Sequence, residues 1–258
     1  MIRALSDVAA AARPELLGWL LGTLRILPLA LLCPVFGGQL VPPSVRLAVA
    51  GAFALALRPL VGAGAGFSVD FWARGVREAG VGLALGLGAA LPFDAARIGG
   101  RLIDLVRGTS AEAALPGAGH RESATGDMLY QLLVSLALAG GVLPATLRAL
   151  GRSYLLLPPG TASLGSGSAV ALAELLGIAL AVGLSIAAPV VALSWATDAA
   201  VGLALRAAPG LPMGEVGVPV RILGGAAVLW LSLGVVSQRL LAWVLSPEGG
   251  WLQAAVGP

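Results

Sequence analysis

The sequence contains no lysine, one cysteine (Cys33) and one histidine (His120), and only 11% of its 258 residues are charged. Each shortage excludes something. A soluble domain carries roughly 25% charged residues, so a chain this poor in charge could not cover its own surface with polar groups. That argues against a soluble cytosolic enzyme, a disordered protein and a nucleic-acid binder. One cysteine excludes a disulfide framework and a cysteine metal site, and one histidine excludes a histidine triad. No HExxH sequence occurs. The glycine-rich run at 80–88 sits in apolar sequence without a phosphate-binding signature, and the 165–168 Gly-Ser run follows no strand. No catalytic constellation, cofactor motif or metal set is present, and His120 reads as an ordinary solvated side chain.

What the chain has in abundance is apolar residues, 58% of the total, and glycine, 37 residues or twice the usual ~7%. All 16 basic residues are arginine and the net charge is +3. This composition leaves an integral membrane protein, or one whose surface is hidden in a larger assembly. Arg3 is soon followed by Asp7, Arg25 interrupts the apolar run, and no small-residue cleavage site follows, so the N-terminus reads as retained.

Charge-free stretches mark candidate spans at 16–32 (Arg25 excepted), 47–57, 79–93, 128–147, 175–197 and 222–238. A full span needs roughly 20 apolar residues, and only 128–147 and 175–197 meet that comfortably. Loops are expected around Pro34, at Pro42-Pro43, over 108–126, over 155–168 with Ser168 as the N-cap of the next helix, and over 210–219. Residues 94–107 read as an amphipathic helix, either solvated at the interface outside the spans or lining a water-filled path or docking on a polar partner. Asp94, Arg97, Arg101 and Asp104 fall within an arc of ~80°, with Ile98, Leu102, Leu105 and Val106 opposite. Under that layout eight arginines lie on one side and seven on the other, with Arg25 inside a span, so the charge bias assigns no orientation.

Two stripes of small residues recur at four-residue spacing: Gly82, Gly86 and Ala90 after Glu78, and Ala173, Gly177, Ala181 and Ser185. Such stripes let helix backbones approach closely. Arg25 lies three residues before Pro28 and should face protein, water or a carboxylate, because an arginine at a helix centre costs ~2.5–3.5 kcal/mol on insertion scales. Asp198 and Arg206 share a helix face but lie about 12 Å apart along it. Each therefore needs a partner on another helix or another chain.

The ordered set of motifs resembles the export-gate T subunit of type III secretion systems, the FliR/SctT/SpaR family. The likeness runs from about Arg25 to about Arg239. Arg25-Ile-Leu leads to Pro34-Val-Phe-Gly, Pro42-Pro43-Ser-Val-Arg46 and Arg58-Pro59. Gly80-x-Gly-x-x-x-Gly86 leads to Pro92-Phe93, then Gly100-Arg-Leu-Ile-Asp104 and Gly108. A polar loop precedes Met128-Leu-Tyr-Gln, and Gly140-Gly141, Ser153-Tyr154, Pro158, Pro189, Asp198, Gly202, Arg206-Ala-Ala-Pro209 and Gly217-Val-Pro219 follow. Ser153-Tyr154 and the polar loop lean toward the injectisome branch.

The resemblance implies one all-helical export-gate domain over 1–258, built of membrane-associated helical hairpins with broken helices. It would pack into a helically inclined assembly of the bacterial inner membrane, partly on the periplasmic side. It implies a non-enzymatic part of the channel for unfolded export substrates, with no cofactor. Partners would be the P-type (FliP/SctR) and Q-type (FliQ/SctS) subunits, the switch subunit (FlhB/SctU), the export-gate ring (FlhA/SctV) and membrane lipid. The segment 108–127 would supply the channel plug, with Gly108, Thr109, Ser110, Leu115, Pro116 and Asp127 as candidates. Arg25, Asp104, Asp198 and Arg206 are candidates for buried polar or inter-subunit contacts. A small-solute permease, which also carries broken helices and buried charge, is the alternative from another class.

Overall fold

Helices account for almost every residue that the computed structural model describes, namely 2–36, 41–61, 69–108, 123–160, 166–208 and 213–245, and no strand occurs among them. The order is α1 (Ile2–Leu32), a 3₁₀ turn (Pro34–Phe36), α2 (Pro43–Ala56), α3 (Arg58–Val61), α4 (Val69–Arg107), α5 (Ala124–Ala139), α6 (Val142–Leu156), α7 (Ser166–Ala207) and α8 (Met213–Leu245). Pro43 starts α2 at a position where its missing N–H costs nothing. Gly108, with φ +70°, ends α4 in the left-handed region that favours glycine.

Several sequence expectations change. The 94–107 segment is no separate helix: it continues α4, 39 residues long, straight through Pro92. The predicted polar arc faces outward only in part: Asp94 and Arg101 are exposed, whereas Arg97 is half-buried. Asp104 is buried while Leu105 is exposed, because Asp104 bonds the start of α5 and Arg97 pairs with it. The uncharged run 128–147 is not one straight span, since Gly141 at φ +80° separates α5 from α6 at a bend of 76°. Ser168 is not an N-cap, because α7 begins two residues earlier, at Ser166. The expected 210–219 loop is mostly helix, with Pro219 inside α8.

Helices long and apolar enough to cross a membrane are Pro14–Leu32, Asp70–Arg107, Ala169–Ala207 and Gly217–Leu245, with the bent α5–α6 pair as a broken fifth. The chain is thus a multi-pass membrane protein. At 1.5 Å per residue, α4 and α7 each exceed ~55 Å, almost twice a ~30 Å hydrocarbon core. Such lengths reach well beyond the hydrocarbon core, which is why charge-free stretches alone mislocate the spans.

The described residues fall into two compact units, one drawn from Met1–Leu91, Leu138–Leu176 and Val244–Pro258, the other from Pro92–Ala137 and Gly177–Trp243. In the first, α2 packs antiparallel on α1. The Trp19 indole N–H donates to the Gly51 carbonyl at 2.8 Å, and Arg46 donates to the Leu31 carbonyl at 3.2 Å. The start of α4 runs parallel to α1, with Gly75 against Leu24 and Gly86 against Pro28 and Leu29. Leu17, Leu21 and Phe71 form a buried cluster there. In the second unit, Phe93, Ile103, Leu133, Ile186 and Val190 are buried, and Gly183 of α7 sits against Ile98 and the Ala95 carbonyl of α4.

Candidate functional site

Arg25 is the largest fully buried side chain described. Its Nε donates to Glu78 Oε2 at 2.6 Å, Nη1 to the Ser153 carbonyl at 3.1 Å and Nη2 to the Leu157 carbonyl at 2.9 Å. The guanidinium carbon lies 4.3 Å from the centre of the Tyr154 ring, a cation–π distance. The two carbonyls belong to the C-terminal end of α6, where the helix dipole favours a cation. Glu78 is equally engaged: its other oxygen accepts from the Gly160 N–H at 2.7 Å. Tyr154 closes the group by donating its hydroxyl to the Gly22 carbonyl at 3.1 Å.

Local sequence explains why α1 and α4 meet here. Pro28 has no N–H, so the Leu24 carbonyl loses its helical donor. Gly82, one turn after Glu78, lets α4 approach so closely that a Cβ there would overlap the Arg25 carbonyl. The Glu78–Gly82–Gly86 stripe therefore carries both the close approach and the counter-ion. The second stripe is used differently: Ala173, Gly177, Ala181 and Ser185 are exposed, and nothing lies near a Cβ built at Gly177. α7 packs through Ala179, Gly183, Ile186 and Val190 instead.

In the second unit, Asp104 gathers the start of α5. It accepts from Ser123 Oγ at 2.5 Å, from the Thr125 N–H at 2.9 Å and from the Thr125 hydroxyl. Ser123 is itself the N-cap, accepting from the Gly126 N–H at 2.9 Å. A Cβ at Gly100 would run into the Gly126 backbone, so α4 and α5 touch main chain to main chain. Arg97 pairs with Asp127 (Nε to Oδ1, 3.1 Å) and lies over the Tyr130 ring at 4.0 Å.

Asp198 pairs with Arg221 of α8 at 3.3 Å, both partly exposed. Arg206 stands exposed in the last turn of α7 and forms no ion pair among the described residues. Of the plug candidates, Gly108 ends α4 and Asp127 lies in the first turn of α5. Thr109, Ser110, Leu115 and Pro116 lie outside the described residues, as does His120. Sequence reasoning assigned no polar role to Glu78, although it is the only acid between Asp70 and Asp94 and heads the glycine stripe. The Ser153 and Leu157 carbonyls left no signal, because main chain carries none. Among the described residues no cluster of three or more His, Cys, Asp or Glu is placed to hold a metal.

In the first group Arg25 and both oxygens of Glu78 are bonded within the chain; in the second Asp104 is bonded through both oxygens, while Arg97 Nε and Asp127 Oδ1 pair by charge without a hydrogen bond. Comparison with known proteins accords with a chain that resembles an export component. The flagellar biosynthetic protein FliR of Escherichia coli K12 is 29% identical over 212 residues, covering 80% of each chain. FliR of Aquifex aeolicus is 26% identical over 223 residues, 84% of this chain and 86% of its own. FliR of Caulobacter vibrioides is 25% identical over 225 residues, 83% and 87%. All three are named for the flagellum, so they lend no support to the injectisome leaning. The family model of the bacterial export proteins, family 1, matches residues 16–245, and the chain belongs to that family.

Proposed function

We propose that this chain is a non-enzymatic subunit of a type III export gate in the bacterial inner membrane, forming part of the channel through which unfolded proteins leave. The observation that carries this reading is the family match over 16–245. The helix surfaces support it. The apolar window of α4 is 72% buried within the chain, but that of α8 is only 11% buried. A span that packs so little on its own chain needs lipid or neighbouring subunits to cover it. P-type and Q-type subunits, with the switch subunit and the export-gate ring beyond them, are the neighbours this reading supplies.

In this reading the chain acts passively. Closed networks such as Arg25–Glu78 hold helices rigid, and other components provide the energy. The segment 108–127 restricts the closed channel. Asp104 supports that role, because it ties the last turns of α4 to the first turn of α5 and so holds both ends of the segment.

The test is co-expression of the tagged chain with its P- and Q-type neighbours, followed by native mass spectrometry in mild detergent. A large hetero-complex with one copy of this chain is expected. A monomer or homo-oligomer that ignores those partners overturns the proposal in favour of a small-solute permease. Removing residues 110–120 should then raise ion leak across reconstituted membranes without preventing assembly; unchanged leak removes the plug assignment.

A further inference from the structure

The first unit holds an excess of arginine that its own acids do not neutralise. Arg25 is paired with Glu78, and Arg58 with Glu15. Arg74, Arg77, Arg148 and Arg152 form no ion pair among the described residues. All four lie within five residues, along α4 or α6, of a group that bonds Arg25. Arg77 precedes Glu78 and Arg152 precedes Ser153, and both Glu78 and the Ser153 carbonyl bond the Arg25 guanidinium. Arg74 lies against Gly160, whose N–H donates to Glu78. Arg148 stands one turn before Arg152 on the exposed face of α6. Besides Glu78 and Glu15, the exposed described acids of this unit are Asp70, one turn before Arg74 on α4, and Glu174 on α7. Four arginines against these two acids still leave an excess of two positive charges.

The neighbours of these arginines are apolar and also exposed. Trp72 is 68% and Val76 74% exposed on α4, and Leu155 is 69% exposed on α6, with Leu156 beside it. A purely aqueous surface would leave these side chains in water, and a hydrocarbon surface would leave the guanidinium groups unsolvated. A membrane interface accommodates both: tryptophan and leucine sit at the acyl boundary while arginine stems reach up to phosphate. Arginine also binds phosphate with two parallel hydrogen bonds.

We propose that Arg74, Arg77, Arg148 and Arg152 form a binding surface for anionic phospholipid headgroups. This rests on the charge and exposure of the first unit and is independent of the channel reading.

The test uses the full chain in nanodiscs of equal phosphatidylglycerol and phosphatidylcholine, re-extracted gently, with retained lipids counted by native mass spectrometry. Phosphatidylglycerol should be enriched, and moderate salt should weaken the preference. The R77Q/R148Q/R152Q variant should lose about fivefold of that preference per arginine removed, whereas R77K/R148K/R152K should keep most of it. Equal retention of the two lipids by the unaltered chain overturns the proposal, as does undiminished enrichment in the glutamine variant or equal loss in both variants. Loss of an acidic co-expressed subunit from the glutamine variant, with no lipid preference in the unaltered chain, would assign the surface to a protein and equally overturn it.

Discussion

The two stripes of small residues have nearly the same sequence character and opposite fates. In the first unit Gly82 and Gly86 press against α1, and the acid at the head of the stripe, Glu78, neutralises a fully buried arginine. On α7, Gly177 and its neighbours face away from the rest of the chain. A run of small residues thus grants close approach without saying to what. What distinguishes the first stripe is a charge that demands a partner: burying an unpaired ion costs far more than any packing gain, so Arg25 and Glu78 bring their helices together. The comparison separates a part of the chain that is complete by itself from a surface that the chain leaves uncovered.

The largest effect should come from breaking the complete part. Arg25→Leu leaves Glu78 buried without its cation and is expected to cost about 3–5 kcal/mol, whereas Arg25→Leu with Glu78→Leu should recover most of that. Cys33 reports on this without further engineering. It is buried just past the candidate span of α1, and burial pushes its thiol up to about 12, so near neutral pH it stays protonated and unreactive. Maleimide labelling in detergent should be slow in the parent chain, fast in the single variant and slow again in the double. Equal labelling of single and double variants would show that the pair is not what holds the unit closed.

The stripes themselves can be set against each other. Gly82→Val places a Cβ on the Arg25 carbonyl and is expected to destabilise by about 1–3 kcal/mol through overpacking. Gly177→Val meets open space and should change the stability of the isolated chain by less than about 0.5 kcal/mol. Thermal unfolding in detergent measures both, and a large loss from Gly177→Val would contradict the outward placement of that stripe. If subunits do cover α7, the same variant should weaken co-purification of the complex.

In the second unit, Asp104→Asn replaces an acceptor-only group and removes charge-assisted bonds to Ser123 and Thr125, worth about 1–3 kcal/mol. The expected signature is faster hydrogen exchange at the Thr125 and Gly126 amides, with Cys33 labelling unchanged. The smallest effect should come from Arg221→Gln. The Asp198–Arg221 pair is partly exposed, and such pairs contribute at most about 1 kcal/mol; a shift in unfolding larger than that would mark the pair as better shielded than its exposure shows.

Much of this was legible in advance, for identifiable reasons. An arginine in an apolar helix must be satisfied, so a buried role for Arg25 followed from its position alone. Asp104 and Gly108 stood out through the motif that resembles the family, Gly100-Arg-Leu-Ile-Asp104 followed by Gly108. The family followed from ordered motifs spread along the chain, none specific by itself. Less legible was the partner of each charge. Glu78 and Arg25 are 53 positions apart, and hydropathy says nothing about which of several acids will meet a given arginine. The boundary of α4 was misplaced because Asp94, Arg97 and Arg101 read as the end of an apolar stretch, although the helix runs on through them.

Composition by itself determined an arginine-only, charge-poor chain that must be covered by a membrane or a larger assembly, and the resemblance of its ordered motifs supplied the all-helical fold and the bacterial export family. The tertiary structure decided which charges meet and which glycines are used. It also decided which arginines are left facing outward. Those outcomes depend on main-chain carbonyls, on helix ends and on separations of a few ångström between distant segments. None of these is written in the identity of any single residue.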